Sequence, residues 1–314
     1  MNAKRYLALA LLSSALWGVT YPLTYIALRL TNAVWLITLT YLITVLILTP
    51  YVFLRGLHTR SLMWGLLLSL INYPMVYLYT VFSGDMGGFA SFLSSLYIVP
   101  LIIIEYFRTR RLNLRYLSSS ALMLLGLYAL YGVENQGMIL LALPLLILNL
   151  AYLIYLEFLG DYDEASLMLG QSVGTLALSM AWVKYMDYPM VITPWVISYS
   201  IALSLLNTMA NILYVMAIRR VGTVSTSLAS SMEITTSMVV SIPIEPLPPN
   251  YIAWILLILS LMVLLLPAIN PFSDGCDLGM ELQEDVDINW QHIDEPGMIS
   301  LPSVDVFHGG GSVI

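Results

Sequence analysis

Leu68-Ser69-Leu70-Ile71-Asn72, with Tyr79 seven positions after the Asn, returns later in the chain as Leu203-Ser204-Leu205-Leu206-Asn207 and Tyr214. The offset is 135. Ser91-Phe92-Leu93-Ser94-Ser95 returns as Ser227-Leu228-Ala229-Ser230-Ser231 at 136. Leu7-Ala8-Leu9 with Leu11-Leu12 returns as Leu141-Ala142-Leu143 with Leu145-Leu146 at 134. Three segments recur in order at almost one spacing, so the chain reads as two halves of about 130 residues on one plan.

The medium in which that plan folds follows from composition. Hydrophobic residues make up 59% of the chain, charged residues 10%, and the mean hydropathy is +0.85. A soluble domain carries about a quarter charged residues, so this chain is expected to be solvated by lipid. Lys4 and Arg5 precede an apolar run too long for a signal-peptide core, with no clear cleavage site, and the first span should stay as an anchor. The lone Cys276 leaves no intrachain disulfide. The acidic pI of 4.8 comes from the C-terminus. Asp274, Asp277, Glu281, Glu284, Asp285, Asp287, Asp294, Glu295 and Asp305 stand there without a Lys or Arg; setting these nine aside takes the net charge from −7 to +2.

A helix needs about 20 apolar residues to cross about 30 Å of hydrocarbon. Ten stretches qualify: 6–27, 33–54, 61–81, 87–105, 114–132, 138–158, 166–186, 195–217, 222–244 and 251–270. With the N-terminus inside, Lys4, Arg5, Arg55, Arg60, Arg108, Arg110, Arg111, Arg115, Arg219 and Arg220 fall on the cytoplasmic side and only Arg29 and Lys184 outside. Five spans per half is an odd number, so the second half must lie upside down relative to the first. The expected fold is an all-α polytopic membrane protein of ten transmembrane helices, arranged as two inverted five-helix repeats (1–132 and 133–270). A disordered acidic tail follows (271–314), and both termini lie on the cytoplasmic side of the plasma membrane.

Ala15-Leu16-Trp17-Gly18-Val19-Thr20-Tyr21-Pro22 resembles the opening Leu-Trp-Gly segment of the EamA-like branch of the drug/metabolite transporter superfamily. The fourth span of each half is similar to that family's in running from a Ser-Leu-rich start through a Pro. The first copy has Ser94-Ser95-Leu96, Pro100 and Arg110-Arg111-Leu112-Asn113; the second has Ser230-Ser231-Met232-Glu233 and Glu245-Pro246-Leu247-Pro248. Arg110 stands where the family usually has Glu, and no Pro follows Glu233. The resemblance covers residues 6–270 and implies a ten-helix carrier of small metabolites, exporting or exchanging them.

The polar residues within the spans are the candidates for chemistry. Glu233 lies near the middle of the ninth span, where an acidic side chain costs about 3 kcal/mol. It shares a helical stripe with Thr226, Ser230 and Ser237, and could bind a cationic substrate or carry a proton. The duplicated Asn72 and Asn207, with Asn211 one turn on, either line a central cavity or clamp helices together. Trp17 and Tyr21 on the first span, and Asn149 and Tyr152 on the sixth, form aromatic and polar pairs that could contact substrate. Gln171 and Thr175 flank Gly170-x-x-x-Gly174, a spacing suited to close helix contact. Asp161, Asp163 and Glu164 read as a solvated inner loop.

No Walker-type phosphate loop is present, and no His lies within a span. Zinc-protease, paired-Asp and Gly-x-Ser-x-Gly patterns are missing too, so an enzyme is not expected, nor a cofactor or metal. The expected partners are the lipid bilayer, a small molecule of the amino acid or amine class and a second copy of the chain in a homodimer, with no role for nucleic acid. The alternative to a secondary transporter is a membrane scaffold or sensor that acts through its acidic tail.

Overall fold

The computed structural model describes residues 3–85, 87–109, 114–131, 136–189, 191–244 and 250–265. All regular structure among them is helical. In chain order these are α1 (Ala3–Leu28), α2 (Ala33–Arg55), α3 (Thr59–Asp85), α4 (Gly87–Ser95), α5 (Ile98–Thr109) and α6 (Leu114–Tyr131), followed by α7 (Gln136–Phe158), α8 (Glu164–Met186), α9 (Pro194–Val221), α10 (Thr223–Ala229), α11 (Ser231–Ser241) and α12 (Tyr251–Leu265). Five of them, α1, α2, α3, α8 and α9, contain stretches long and apolar enough to cross a membrane. The motif ends at Arg110–Asn113 and Glu245–Pro248, and the acidic tail, lie outside the described residues.

Helix ends are written locally. Asn32 Oδ1 accepts from Trp35 N at 2.9 Å, Asp163 Oδ2 from Ser166 N at 2.7 Å and Thr193 Oγ1 from Val196 N at 3.3 Å. Each cap satisfies a donor that the first helical turn leaves open. Arg55, Lys184, Arg219 and Arg220 occupy last turns, where the helix dipole favours a cation.

Two stretches that hydropathy makes continuous are broken. Residues 87–105 divide at Leu96 and Tyr97, and residues 222–244 divide at Gly222 and Ser230. The breaks fall at or just after the twin serine segments. Ser91 Oγ donates to the Gly88 carbonyl at 2.8 Å, Ser94 Oγ to the Ser91 carbonyl at 2.5 Å and Ser230 Oγ to the Thr226 carbonyl at 3.4 Å. Side chains that bond their own backbone compete with the helical ladder. The chain tightens there: Leu96 N reaches Leu93 O at 3.4 Å, and Ser230 N reaches Ser227 O at 3.1 Å.

Several helix contacts come in pairs related by exchanging the first and second halves of the sequence, although α1 against α11 has no equal between α7 and α5. α1 packs along α9 as α7 does along α3; α3 packs along α8 as α9 does along α2. The broken helices follow: α4 meets α7 as α10 meets α1, and α4 meets α11 as α10 meets α5. α6 and α12 pair with each other through reciprocal serines. Ser119 Oγ donates to the Ser260 carbonyl at 2.9 Å and Ser260 Oγ to the Ser119 carbonyl at 2.8 Å.

Leu54 and Phe158 are 90% and 86% exposed, and Leu46, Phe53, Ile147, Trp195 and Ile252 are also largely open. Ser13, Ser14, Thr175, Ser179, Ser204 and Thr226 are fully buried. A surface of large apolar side chains over a core of small polar ones suits hydrocarbon better than water. Inside, glycines let backbones touch: Gly65 lies on the Leu167 carbonyl, Gly170 on the Leu62 carbonyl and Gly174 on Ser69. The α3–α8 contact is built on them.

At the ends of α3 and α8 beside those glycines, loops are tied together. Ser61 Oγ accepts from Asp163 N at 2.9 Å and bonds His58 Nδ1 at 2.7 Å, while Ser166 Oγ accepts from His58 N at 3.1 Å. The loop acids stay at the solvated surface and also bond there: Asp163 caps α8, and Arg219 pairs with Asp161 at 2.5 Å and Glu164 at 2.6 Å. Arg219 also donates to the Tyr162 carbonyl at 2.9 Å and lies over the Tyr162 ring. Burial pushes the Tyr162 phenol up to about 12, so that ring stays neutral at physiological pH. Asp161 is 93% exposed, and exposed ion pairs contribute little. Arg219→Ala is expected to cost about 1 kcal/mol or less, lowering the melting temperature in detergent by roughly 2–4 °C.

Candidate functional site

Gly18 decides how α1 meets the second half. A Cβ there would stand 2.7 Å from Thr236 Cβ and 3.0 Å from Ser237 N, so only glycine lets α1 lie on the backbone of α11. Tyr21, one turn further along α1, then reaches the first turn of α11 and donates its hydroxyl to Glu233 Oε1. Ser94, at the end of α4, donates to the same oxygen at 2.9 Å. The carboxyl is 6% exposed, and no protein donor among the described residues takes Oε2. An acidic residue in the first turn of a helix sits at the favourable end of its dipole.

Glu233 opens onto a cavity of about 130 Å³ at the meeting of α1, α2, α3, α4, α7, α9 and α11. Trp17, Tyr21, Asn72, Asn149, Tyr152, Asn207, Asn211 and Glu233 all line it. Ser230 lies behind the wall, buried, its hydroxyl turned to its own helix. Thr226 and Ser237 are likewise buried and do not line the cavity. Gln171 and Thr175 act one layer out. Gln171 Oε1 accepts from Tyr152 OH at 3.2 Å, and Thr175 Oγ1 accepts from Asn72 Nδ2 at 3.0 Å.

The amide groups are oriented by the protein. Asn72 Nδ2 also donates to Tyr41 OH at 3.0 Å. Asn149 Nδ2 donates to the Leu145 carbonyl at 3.0 Å, and its Oδ1 accepts from Tyr79 OH at 2.6 Å. Asn211 Nδ2 donates to the Asn207 carbonyl at 2.8 Å. Aromatic rings fill the spaces between. Trp17 and Tyr214 lie 4.8 Å apart, and Tyr21 meets Tyr79 edge to face at 6.2 Å.

Tyr41, Tyr79, Ser94, Tyr97 and Tyr214 also line the cavity and are absent from the sequence-derived set of cavity residues. The repeat carried the signal for four of them, since Tyr79 and Tyr214 are twins at the 135 offset. At the 136 offset, Ser94 is the twin of Ser230 and Tyr97 the twin of Glu233.

Ser94 gives the site a chemical property of its own. Its single hydroxyl proton has two acceptors within reach, the Ser91 carbonyl at 2.5 Å and Glu233 Oε1 at 2.9 Å. An ionised Glu233 draws that proton to itself; a protonated one can donate to Ser94 Oγ and release it to Ser91. The hydrogen bonding of the broken α4 therefore changes with the charge on α11.

No family model matches the chain, and no curated protein matches it.

Proposed function

We propose that this chain is a secondary transporter of a small metabolite, an exporter or exchanger of the EamA-like, drug/metabolite-transporter type. In this reading ten transmembrane helices form two inverted five-helix repeats in the plasma membrane, with both termini cytoplasmic, and the bundle works by alternating access. The observation that carries it is the central cavity where the halves meet, lined by the duplicated Asn72 and Asn207 and flanked by two helices broken at equivalent places. Broken helices at a repeat interface leave backbone and side-chain groups to face a ligand instead of a ladder. The paired contacts and the reciprocal Ser119–Ser260 bonds support an exchange symmetry that would let one half take the posture of the other.

The substrate is a small amine or amino acid, and Glu233 carries the proton that couples its movement to a gradient. Among the cavity-lining residues there is no His, Lys, Arg or Asp, so Glu233 is the one ordinary acid–base group at the site. One carboxyl cannot hold a proton and pair with a cation at once, so exchange follows from occupancy.

The test is flux through the purified full-length chain in liposomes, with amino acids, amines, nucleosides and sugars offered with and without a pH gradient. Saturable flux of at least one class supports the reading; verified folded protein that moves nothing across the panel sinks it. The acidic tail has no part in this chemistry. Deleting residues 273–314 is expected to leave flux within about twofold, since every residue that lines the cavity lies between Trp17 and Glu233. Loss of flux on deletion would transfer the function to the tail.

A further inference from the structure

We infer that the cavity selects small organic monocations and rejects zwitterions, so that among amines and amino acids its substrate is an ammonium compound without a carboxylate. This rests on the transporter reading and sharpens it.

The first argument is charge. Among the described residues, Glu233 is the one carboxyl on the cavity wall, and no basic side chain accompanies it. A monocation neutralises an ionised Glu233. A zwitterion brings a second carboxylate into a space with no cation to receive it, and like charges in a desolvated site cost several kcal/mol.

The second argument is the direction of the hydrogen-bonding groups. A bound carboxylate needs donors, best a cationic one, and here several of the amide donors already serve the protein. Asn149 and Asn211 each turn Nδ2 to a backbone carbonyl, at 3.0 and 2.8 Å, which fixes the amide orientation because a carbonyl cannot donate. Asn72 Nδ2 serves Tyr41 and Thr175. The Tyr21, Tyr79 and Tyr152 hydroxyls donate to Glu233, Asn149 and Gln171. Among the described residues, Glu233 Oε2 and the Asn72 and Asn211 Oδ1 atoms are left as acceptors, and Trp17 Nε1, the Tyr41 hydroxyl and the Asn207 amide are the neutral donors left at the wall, with no cationic donor beside them.

The third argument is the ring-lined wall and its size. Aromatic faces attract a cation within about 6 Å of their centroids, and most strongly when desolvated. A cavity of about 130 Å³ is close to the engineered void of about 150 Å³ that takes a benzene molecule. An alkylammonium of that bulk fits, and a drug-sized cation does not.

Choline and betaine test this directly, because both carry a trimethylammonium and only betaine carries a carboxylate. The pair ethanolamine and glycine repeats the comparison with primary amines. Labelled uptake into liposomes containing the full-length chain should be saturable for choline or ethanolamine and at least about tenfold weaker for the matching zwitterion. Thermal stabilisation of the detergent-solubilised wild type by the same four compounds reads binding without any substitution. Glu233→Gln, checked for folding, should lose the preference. Equal or better handling of betaine or glycine overturns the inference while leaving transport standing. Flux of a sugar or nucleoside with no response to either ammonium compound overturns it too. Absence of all flux and all stabilisation removes this inference and the transporter reading together.

Discussion

Gly170→Val in α8 is expected to destabilise the protein by about 3 kcal/mol or more, lowering the melting temperature in detergent by roughly 6–12 °C. A Cβ at Gly170 meets the Leu62 carbonyl, and stands 2.9 Å from the Leu62 carbonyl carbon and 3.0 Å from Leu66 N. All three are backbone atoms of α3, so no side chain can turn aside to make room. Gly65 returns the contact from α3 onto Leu167, Gln171 and Gly170 itself. The two helices must therefore separate, and interiors packed this closely tolerate little added volume. The consequence reaches function, because Asn72 and Thr175, bonded across the same helix pair at 3.0 Å, hold one wall of the cavity. Gly84→Ala is the control. The added atom there meets only Leu28 Cδ1, at 3.1 Å, the movable end of a flexible side chain, and the change should be near neutral. Equal melting temperatures for Gly170→Val and wild type would mean that α3 and α8 do not pack through their glycines.

How much of this was legible in the sequence depended on which interaction fixed each feature. Helix positions follow from apolar run length, and α1, α2, α3, α8 and α9 lie close to their expected bounds. The breaks within residues 87–105 and 222–244 did not follow, because hydropathy registers the length of an apolar run and not the path of the backbone within it. Ser91 and Ser94 stand among apolar neighbours and read as part of a span. Cavity residues were legible where polarity was conspicuous: Asn72, Asn149, Asn207, Asn211 and Glu233 all face one space. The tyrosines of the wall were harder, since Tyr41 or Tyr97 at mid-span reads equally as packing or as a site. Their facing depends on helix rotation, which apolar surfaces on every side leave unspecified. The fate of Asp161 and Glu164 was not legible either. Arg219 lies more than 50 residues away in sequence, and only the fold brings it to them.

Glu233→Gln should leave the fold in place and remove coupled transport. The amide keeps an oxygen at the Oε1 position, so the Tyr21 and Ser94 hydroxyls retain their acceptor, and the melting temperature should stay within a few degrees of wild type. What goes is the charge. Removing one partner of a buried ion pair costs about 2–5 kcal/mol, so flux of a cationic substrate should fall by roughly 30- to 4000-fold at subsaturating concentration. Any residual flux should no longer respond to a pH gradient, because no other cavity-lining group exchanges a proton in the physiological range. Glu233→Ala separates the two roles. It removes the acceptor as well, leaves the Tyr21 donor buried without a partner while Ser94 keeps the Ser91 carbonyl, and should add about 1–3 kcal/mol of instability that Gln does not. Ser94→Ala probes the link to the broken helix: it keeps the carboxyl but cuts its bond to α4, and so should alter the pH dependence of flux while leaving a cation bound. If the Gln variant, shown to be folded, keeps pH-driven flux at the wild-type rate, then the proton does not travel on Glu233. The carboxyl would in that case serve only to clamp α1 and α4 onto α11.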